Sequence, residues 1–328
     1  MRNFEYLEPN TVYEVISLLA EWGEKAKIIA GGTDILVRLK KRLTECDCLV
    51  SITSIEELGL VSEGKDRLFV GSTVTLGNLL QAQGAGRKYK LLIDAVKRIA
   101  GPQIRNMATV GGNLLQEVRC WFFRAGTRDC LRRGGQVCTA VMDDSRYHAI
   151  LGVKGCFAAC PSDLAVVLLA LEADVVLHGK NGERVVKIDE LYGYEPSQSP
   201  AVSSDELLKM IVIPCPPAGS RQVFLKFAPR PGDFAIVSVA VIVIEENDIC
   251  KDIRIALGAV APSPIRPKEA EEFLKGKPLS EDNAIKAAEI ALRGAKPTKG
   301  NAYKVGLAKT AIKRALLWKD GGESEKYV

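Results

Sequence analysis

The chain has 328 residues, 47% hydrophobic and 26% charged, with 29 glycines and 15 prolines, a length that suits two or three domains and a composition that excludes collagen-like, disordered and disulfide-scaffold classes. Its net charge of +5 is spread out, and the densest basic runs, residues 38–42 and 128–133, are short and lack the interleaved aromatics of a nucleic-acid groove. No nucleic-acid partner is expected.

In chain order, the spacing of Val12, Val15, Ile16, Leu18, Leu19 and Trp22 predicts an opening helix over residues 11–22. Residues 27–30 are a short buried strand running straight into Gly31, Gly32, Thr33 and Asp34, after which Ile35, Leu36 and Leu39 take helical spacing. With a strand at residues 49–52 this makes a small βαβ unit. From about residue 57 the pattern changes to strands at 58–61 and 68–71 and helices at 75–83 and 91–100, a second α+β lobe. A second glycine turn follows, Thr109-Val110-Gly111-Gly112-Asn113. Residues 115–160 have weak periodicity, and a stretch that long without clear elements points to function or disorder. A helix at 164–171, strands at 175–178, 211–214, 223–228, 236–244 and 253–260, and helices at about 268–274, 280–292 and 303–318 complete the series. Residues 214–220, Pro-Cys-Pro-Pro-Ala-Gly-Ser, are the best linker. The expected division is a domain of residues 1–215, with lobes of about 1–56 and 57–215 and an insertion at about 115–160, followed by a domain of residues 220–328.

No stretch reaches the ~18 apolar residues of a membrane helix, and no signal-peptide core is visible, so a cytoplasmic protein without a membrane span is expected. There, cysteines stay reduced, and clustered ones hold metal or carry redox chemistry. Five of the nine, Cys120, Cys130, Cys138, Cys156 and Cys160, fall within 41 residues. The two Gly-Gly turns let backbone approach an anion closely, since glycine lacks a Cβ and its amides converge; Thr33, Ser72, Thr73 and Asn113 offer hydrogen bonds. Neither turn is a P-loop or a Gly-x-Gly-x-x-Gly fingerprint, which disfavours a Rossmann fold. There is no serine-histidine-acid set and no His-Glu-x-x-His, and the only histidines are His148 and His178. Substrate chemistry is expected on another chain.

Four segments together carry a resemblance: residues 29–36 (Ile-Ala-Gly-Gly-Thr-Asp-Ile-Leu), 108–114 (Ala-Thr-Val-Gly-Gly-Asn-Leu), 226–235 (Lys-Phe-Ala-Pro-Arg-Pro-Gly-Asp-Phe-Ala) and 258–266 (Gly-Ala-Val-Ala-Pro-Ser-Pro-Ile-Arg). In this order they resemble the FAD-binding (medium) subunit of the xanthine dehydrogenase and carbon monoxide dehydrogenase family, the molybdenum hydroxylases. The resemblance implies an α+β fold, a two-lobed FAD-binding domain of the PCMH type followed by a C-terminal domain with a three-stranded antiparallel sheet and a helical bundle. It implies that Ile29, Ala30, Gly31, Gly32, Thr33, Asp34, Ile35 and Leu36 wrap the FAD pyrophosphate and that Thr109, Gly111, Gly112 and Asn113 make a second contact. Asp163, Leu208 and Lys226 match further positions near the cofactor. From the residues alone, Lys226 also reads as a solvated strand lysine and Asp163 as an N-cap. The partners implied are a molybdopterin-binding large subunit and a small subunit with [2Fe-2S] clusters.

The chain departs from the plain family pattern by the 49 residues between Asn113 and Asp163. This insertion resembles that of the beta subunit of 4-hydroxybenzoyl-CoA reductase, which carries a [4Fe-4S] cluster. Cys120-Trp121-Phe122-Phe123-Arg124, Gly134-Gly135-Gln136-Val137-Cys138 and Arg146-Tyr147-His148-Ala149-Ile150 carry that likeness, which implies Cys120, Cys130, Cys138 and Cys156 as ligands and Cys160 as a spare thiol or substitute ligand. Four thiolates suit a cubane; a zinc site or unliganded thiols, forming a docking module without redox function, are the other readings, although the paired spacing usual for zinc is absent. His148 is expected to hydrogen-bond within the loop, and the nearby arginines to meet a partner or solvent. The closest resemblance implies reductive dehydroxylation of an aromatic CoA thioester, with a xanthine dehydrogenase-type oxidation of heterocycles or aldehydes as the alternative, and ferredoxin or NAD(P) as electron partner.

Overall fold

Three sheets organise the chain in a computed structural model that describes residues 2–82, 85–127, 129–192 and 200–319. The first is parallel: β1 (Glu5–Leu7), β2 (Ala26–Ile29) and β3 (Cys48–Ser51) lie in the order β1-β3-β2. Helix Val12–Trp22 connects β1 to β2, and helix Ile35–Lys40 connects β2 to β3. A strand therefore precedes the helix expected to open the chain. Three mixed residues show no period, and β1 owes its geometry to pairing with the fully buried β3. Thr11 caps the helix by accepting from the Glu14 N–H, and Val12, Val15, Ile16 and Leu19 pack on Val50 and Ile52.

The second sheet has the order β4-β5-β8-β6-β7, with every pairing antiparallel: β4 (Val61–Glu63), β5 (Arg67–Gly71), β6 (Asp174–Gly179), β7 (Gly182–Lys187) and β8 (Leu207–Pro214). Of residues 58–61, expected as a strand, Leu58 and Gly59 instead close a 3-10 turn, Glu56–Gly59, and only Val61 is extended, as the first residue of β4. Ile55 and Leu58, one turn apart, are both buried, and that spacing favours a turn over an extended chain. β7 was not expected because its side chains are largely exposed and polar; it forms as the edge of a hairpin with β6. Helix Leu76–Gln81 occupies the expected position, Gln83 lying outside the described residues.

The third sheet, β11-β10-β9, is antiparallel: β9 (Arg221–Phe227), β10 (Val237–Glu246) and β11 (Ile249–Gly258). Alternation along β10 feeds two cores. Val237, Val239, Val241 and Val243 pack under helices Lys268–Leu274, Glu281–Ala291 and Tyr303–Leu316, while Ala240 and Ile242 join the core of the second lobe. Helix Asp163–Ala170, buried on every side, lies against β10 and β11 and ties the parts together. The architecture is the α+β arrangement expected, a two-lobed unit followed by a three-stranded antiparallel sheet with helices. Among the described residues, 115–160 contribute only short helical turns, Trp121–Arg124, Leu131–Arg133 and Thr139–Val141. Among the described residues no helix is long and apolar enough to cross a membrane.

Candidate functional site

β2 ends at Ile29, and the chain bends through residues 30–34 with Gly32 at φ +70°, a conformation that costs any residue with a Cβ. A Cβ on Gly31 would collide with the carbonyl oxygen of Met107. The first turn is thus packed backbone to backbone on the segment entering the second. There Thr109 caps helix Val110–Leu114, its Oγ1 accepting from the Gly112 N–H at 3.1 Å. Gly111 donates to the Ser72 carbonyl at 2.9 Å, and a Cβ on it would lie 2.8 Å from that of Ser72. Buried Asn113 accepts from Ser162 Oγ at 2.7 Å.

Between these turns lies a cavity of about 300 Å³ lined by Thr33, Asp34, Gly112, Asn113, Asp163 and Lys226, so six residues singled out in the sequence reach one space. Gly31, Gly32, Thr109 and Gly111 shape the turns from behind. Ile29, Ile35 and Leu36 pack with Leu39 and Leu49, Ala30 packs on the other apolar cluster of the first lobe, and Leu208 is buried in the core of the second. Neither Ser72 nor Thr73 lines the cavity; the Ser72 hydroxyl is buried without a partner.

The side chains of Lys226 and Asp163 are 5% and 6% exposed and lie 2.7 Å apart, and Lys226 Nζ also donates to the Arg98 carbonyl at 2.8 Å. A solvated strand lysine is ruled out by this burial. Asp163 is not the cap of its helix: Ser162 is, its Oγ accepting from the Ala165 N–H at 3.0 Å, because the shorter side chain reaches that amide from the preceding position. Burial pushes the Asp163 carboxyl above the usual range, with Lys226 and Ser238 opposing the shift.

Sequence reasoning missed Ile99, Ala100, Ile104, Gln116 and Arg119, which also line the cavity. Asp233 and Phe234 line it too, and stood within the quoted 226–235 segment without being assigned a role. Ala100 has φ +49°, and Arg105 Nη1 pins this bend through the carbonyls of Lys97, Ile99 and Ala100; the Ala-Gly-Pro at residues 100–102 was a usable turn signal. Arg119 had no signal, since it lies in the aperiodic insertion. Its guanidinium sits 4.6 Å from the centre of the Phe234 ring and 3.1 Å from Asp34 Oδ1. Asp34 also meets Arg124 at 2.8 Å and Arg38 at 3.8 Å, while Arg132 pairs with Glu117 at 2.9 Å. These insertion arginines therefore bind within the chain rather than standing in solvent. Burial brings the Arg119 guanidinium down to about 10, against Asp34, which leaves it charged at neutral pH.

A second cavity, of about 270 Å³, shares Arg119, Pro161, Asp233 and Phe234 with the first and reaches Cys120, Trp121, Tyr147 and His148. Cys120, Cys130 and Cys156 pack together with Val118, Phe123 and Ala158. Cys156 lies within electrostatic reach of Cys138 and Cys130, and Cys120 of Cys130 and Cys156. Cys120, Cys130 and Cys138 each precede a short helical turn. Burial raises the Cys120 thiol to about 11 and raises Cys156 as well. Among the described residues no three His, Cys, Asp or Glu side chains are placed to share one metal ion. Around a single tetrahedral zinc, thiolates would stand roughly 3.8 Å apart; in a cubane each thiolate takes a different iron, so the four converge more loosely. His148 Nε2 lies 3.2 Å from Cys120 Sγ, a contact within the loop as expected. Cys160 belongs to the core of the second lobe, where burial raises its thiol to about 12.

Residues 2–216 match the model of the FAD binding domain in molybdopterin dehydrogenase, and residues 222–319 that of the CO dehydrogenase flavoprotein C-terminal domain. The chain is 32% identical to the aldehyde oxidoreductase FAD-binding subunit PaoB of Escherichia coli K12, over 96% of this chain and 98% of that one. Among solved structures it is similar to a chain of carbon monoxide dehydrogenase from Hydrogenophaga pseudoflava, with 28% identity and a TM-score of 0.78. It is likewise similar to a chain of quinoline 2-oxidoreductase from Pseudomonas putida 86, with 26% identity and a TM-score of 0.77, each comparison covering 96% of both chains. The chain belongs to the family of FAD-binding medium subunits of the molybdenum hydroxylases.

Proposed function

We propose that this chain holds FAD in the 300 Å³ cavity and conducts electrons between a molybdopterin-binding large subunit, by way of [2Fe-2S] clusters on a small subunit, and a [4Fe-4S] cluster in its own insertion. The observation that carries the reading is the convergence of both glycine turns and the Lys226–Asp163 pair on one cavity, which shares Arg119 and Phe234 with the cavity that reaches Cys120. FAD supplies the electron-transfer chemistry when bound, and the protein supplies binding, orientation and electrostatics. Gly112 lines the cavity, and Gly31 and Gly111, where a Cβ would strike Met107 and Ser72, let the two turns close together around it. Asp163 and Lys226 fix charge and hydrogen bonding deeper in the cavity. Cys120, Cys130, Cys138 and Cys156 would hold the cluster, three of them standing just before short helical turns. The proposed domain division is residues 1–215 and 220–328, since β9 begins at Arg221 just after the proline-rich linker. All nine cysteines are unpaired, which supports a cytoplasmic, reducing setting.

Oxidation of an aldehyde or nitrogen heterocycle on the large subunit is the reading that the named relatives favour. The insertion motifs favour a second reading, closeness to 4-hydroxybenzoyl-CoA reductase and reductive dehydroxylation of an aromatic CoA thioester, with ferredoxin or NAD(P) as electron partner. Cofactor analysis of the purified complex tests the assignment. We expect FAD equimolar with this chain, and iron and acid-labile sulfide in excess of the small subunit's [2Fe-2S] clusters. Zinc, or no metal, in the insertion overturns the cluster and leaves a docking module; loss of the extra iron in Cys138→Ser with FAD retained supports it. Bleaching of the complex by an aldehyde or heterocycle, against re-oxidation by a CoA thioester, decides the direction.

A further inference from the structure

Three carboxylates line the 300 Å³ cavity, Asp34, Asp163 and Asp233, against two cations, Arg119 and Lys226. Behind the wall, Arg38 and Arg124 also reach Asp34, at 3.8 and 2.8 Å. Glu117, an insertion carboxylate near Arg119, is paired with Arg132 at 2.9 Å, so at this wall four cations face three carboxylates. Two of those four, Arg119 and Arg124, are supplied by the insertion, and without them the same wall would carry more carboxylates than cations. The pyrophosphate of FAD is a dianion, so the sign of this balance bears directly on its binding.

Arg119 is the member that reaches the cavity itself. Its Nη2 donates to Gln116 at 2.7 Å and pairs with Asp34, whereas its buried Nε has no partner. The Phe234 ring holds the plane of the guanidinium from the C-terminal part of the chain. A guanidinium fixed at the wall of an anion's cavity by Asp34, Gln116 and Phe234 places a permanent positive charge beside a phosphate.

We propose that the cysteine-bearing insertion is part of the FAD site: Arg119, backed by Arg124 on Asp34, supplies the positive charge that holds the pyrophosphate. The flavin's affinity then depends on the insertion, over and above any metal the insertion carries. This rests on the reading that FAD occupies the cavity. Arg119 contributes charge at the cavity wall, while Arg124 is a positioning residue that keeps Asp34 neutralised and, through the carbonyls of Glu117 and Val118, keeps the start of the insertion in place.

The full chain, freed of flavin, is titrated with FAD and with riboflavin, which lacks the pyrophosphate, while flavin fluorescence is followed. For Arg119→Gln the FAD Kd rises roughly tenfold or more, as loss of a charged hydrogen bond predicts. Riboflavin binding stays as in the wild type, the dependence of FAD binding on KCl flattens, and Arg119→Lys recovers most of the affinity. Equal weakening of FAD and riboflavin together with a lowered apoprotein Tm would make Arg119 a structural bridge only and overturn the proposal, as would an unchanged FAD Kd. Asn113→Ala separates the two levels: if it weakens FAD while Arg119→Gln does not, the role of the insertion falls and the cavity stands. If neither variant alters FAD binding, the cavity assignment falls as well.

Discussion

Lys226 Nζ and Asp163 Oδ2 lie 2.7 Å apart, and neither side chain is more than 6% exposed. The two residues come from different parts of the fold, β9 and the helix that links the second lobe to the third sheet. Removing one partner leaves a buried charge with nothing opposite it. Lys226→Met is expected to lower stability by about 3–5 kcal/mol, and the double variant Lys226→Met/Asp163→Asn to recover more than half of that. Urea unfolding of the four forms checks the cycle; strict additivity would show the pair to be uncoupled.

Two glycine-to-alanine substitutions should act in opposite directions. Gly31→Ala drives a Cβ into the Met107 carbonyl and forces the two turns apart. The purified variant should lose FAD and melt several degrees lower. Gly306 lies inside helix Tyr303–Leu316 with open space where a Cβ would go. Gly306→Ala should stabilise by about 0.5–1 kcal/mol with FAD content unchanged, because alanine restricts the unfolded chain and fits the helix.

Lys304 is fully buried, its Nζ donating to the carbonyls of Ala259 at 2.6 Å and His148 at 3.0 Å, and burial without a carboxylate brings it down to about 7. Between pH 7 and the ordinary lysine value the unfolded chain holds a proton that the folded chain has released, so this group makes stability rise with pH across that window. The slope is at most about 1.4 kcal/mol per pH unit. Buried thiols with raised pKa act in the opposite sense above their ordinary value, so the quantity to measure is the difference between the wild-type and Lys304→Met profiles. A difference flat from pH 7 to 10 would place the folded-state titration elsewhere.

Cys160 and Cys130 should behave differently although both are buried. Cys160 packs in the apolar core of the second lobe, whereas Cys130 packs beside Cys120 and Cys156. Cys160→Ala should keep all the iron and cost only a modest fall in Tm; Cys130→Ala should lose the iron of the insertion while FAD remains. Iron and sulfide analysis of both variants tests the ligand set, and iron loss on changing Cys160 would bring it into that set.

Most elements were legible because burial repeats locally. The alternating valines of β10 and the 3.6-residue spacing of Val12, Val15, Ile16 and Leu19 each record one face turned to a core. Where the local pattern was silent, the expectation failed: β1 is three residues held by its neighbour, β7 is an exposed hairpin edge, and Leu58 anchors a turn. The candidate site divides in the same way. Thr33, Asp34, Gly112 and Asn113 follow from the turn chemistry of their own segments, whereas Leu208, matched by position alone, is buried in the core of the second lobe.

By itself the sequence determined the two glycine turns, the periodic helices and strands and the grouping of cysteines in one insertion, because each depends on residues close together in the chain. Only the tertiary structure decided which side chains share the cavity. The pairings of Arg119 and Arg124 with Asp34, and of Lys226 with Asp163, join segments far apart in sequence. Such pairings have no periodicity to betray them, and arise where packing removes charged groups from water and leaves each only the partner that the fold has brought within reach.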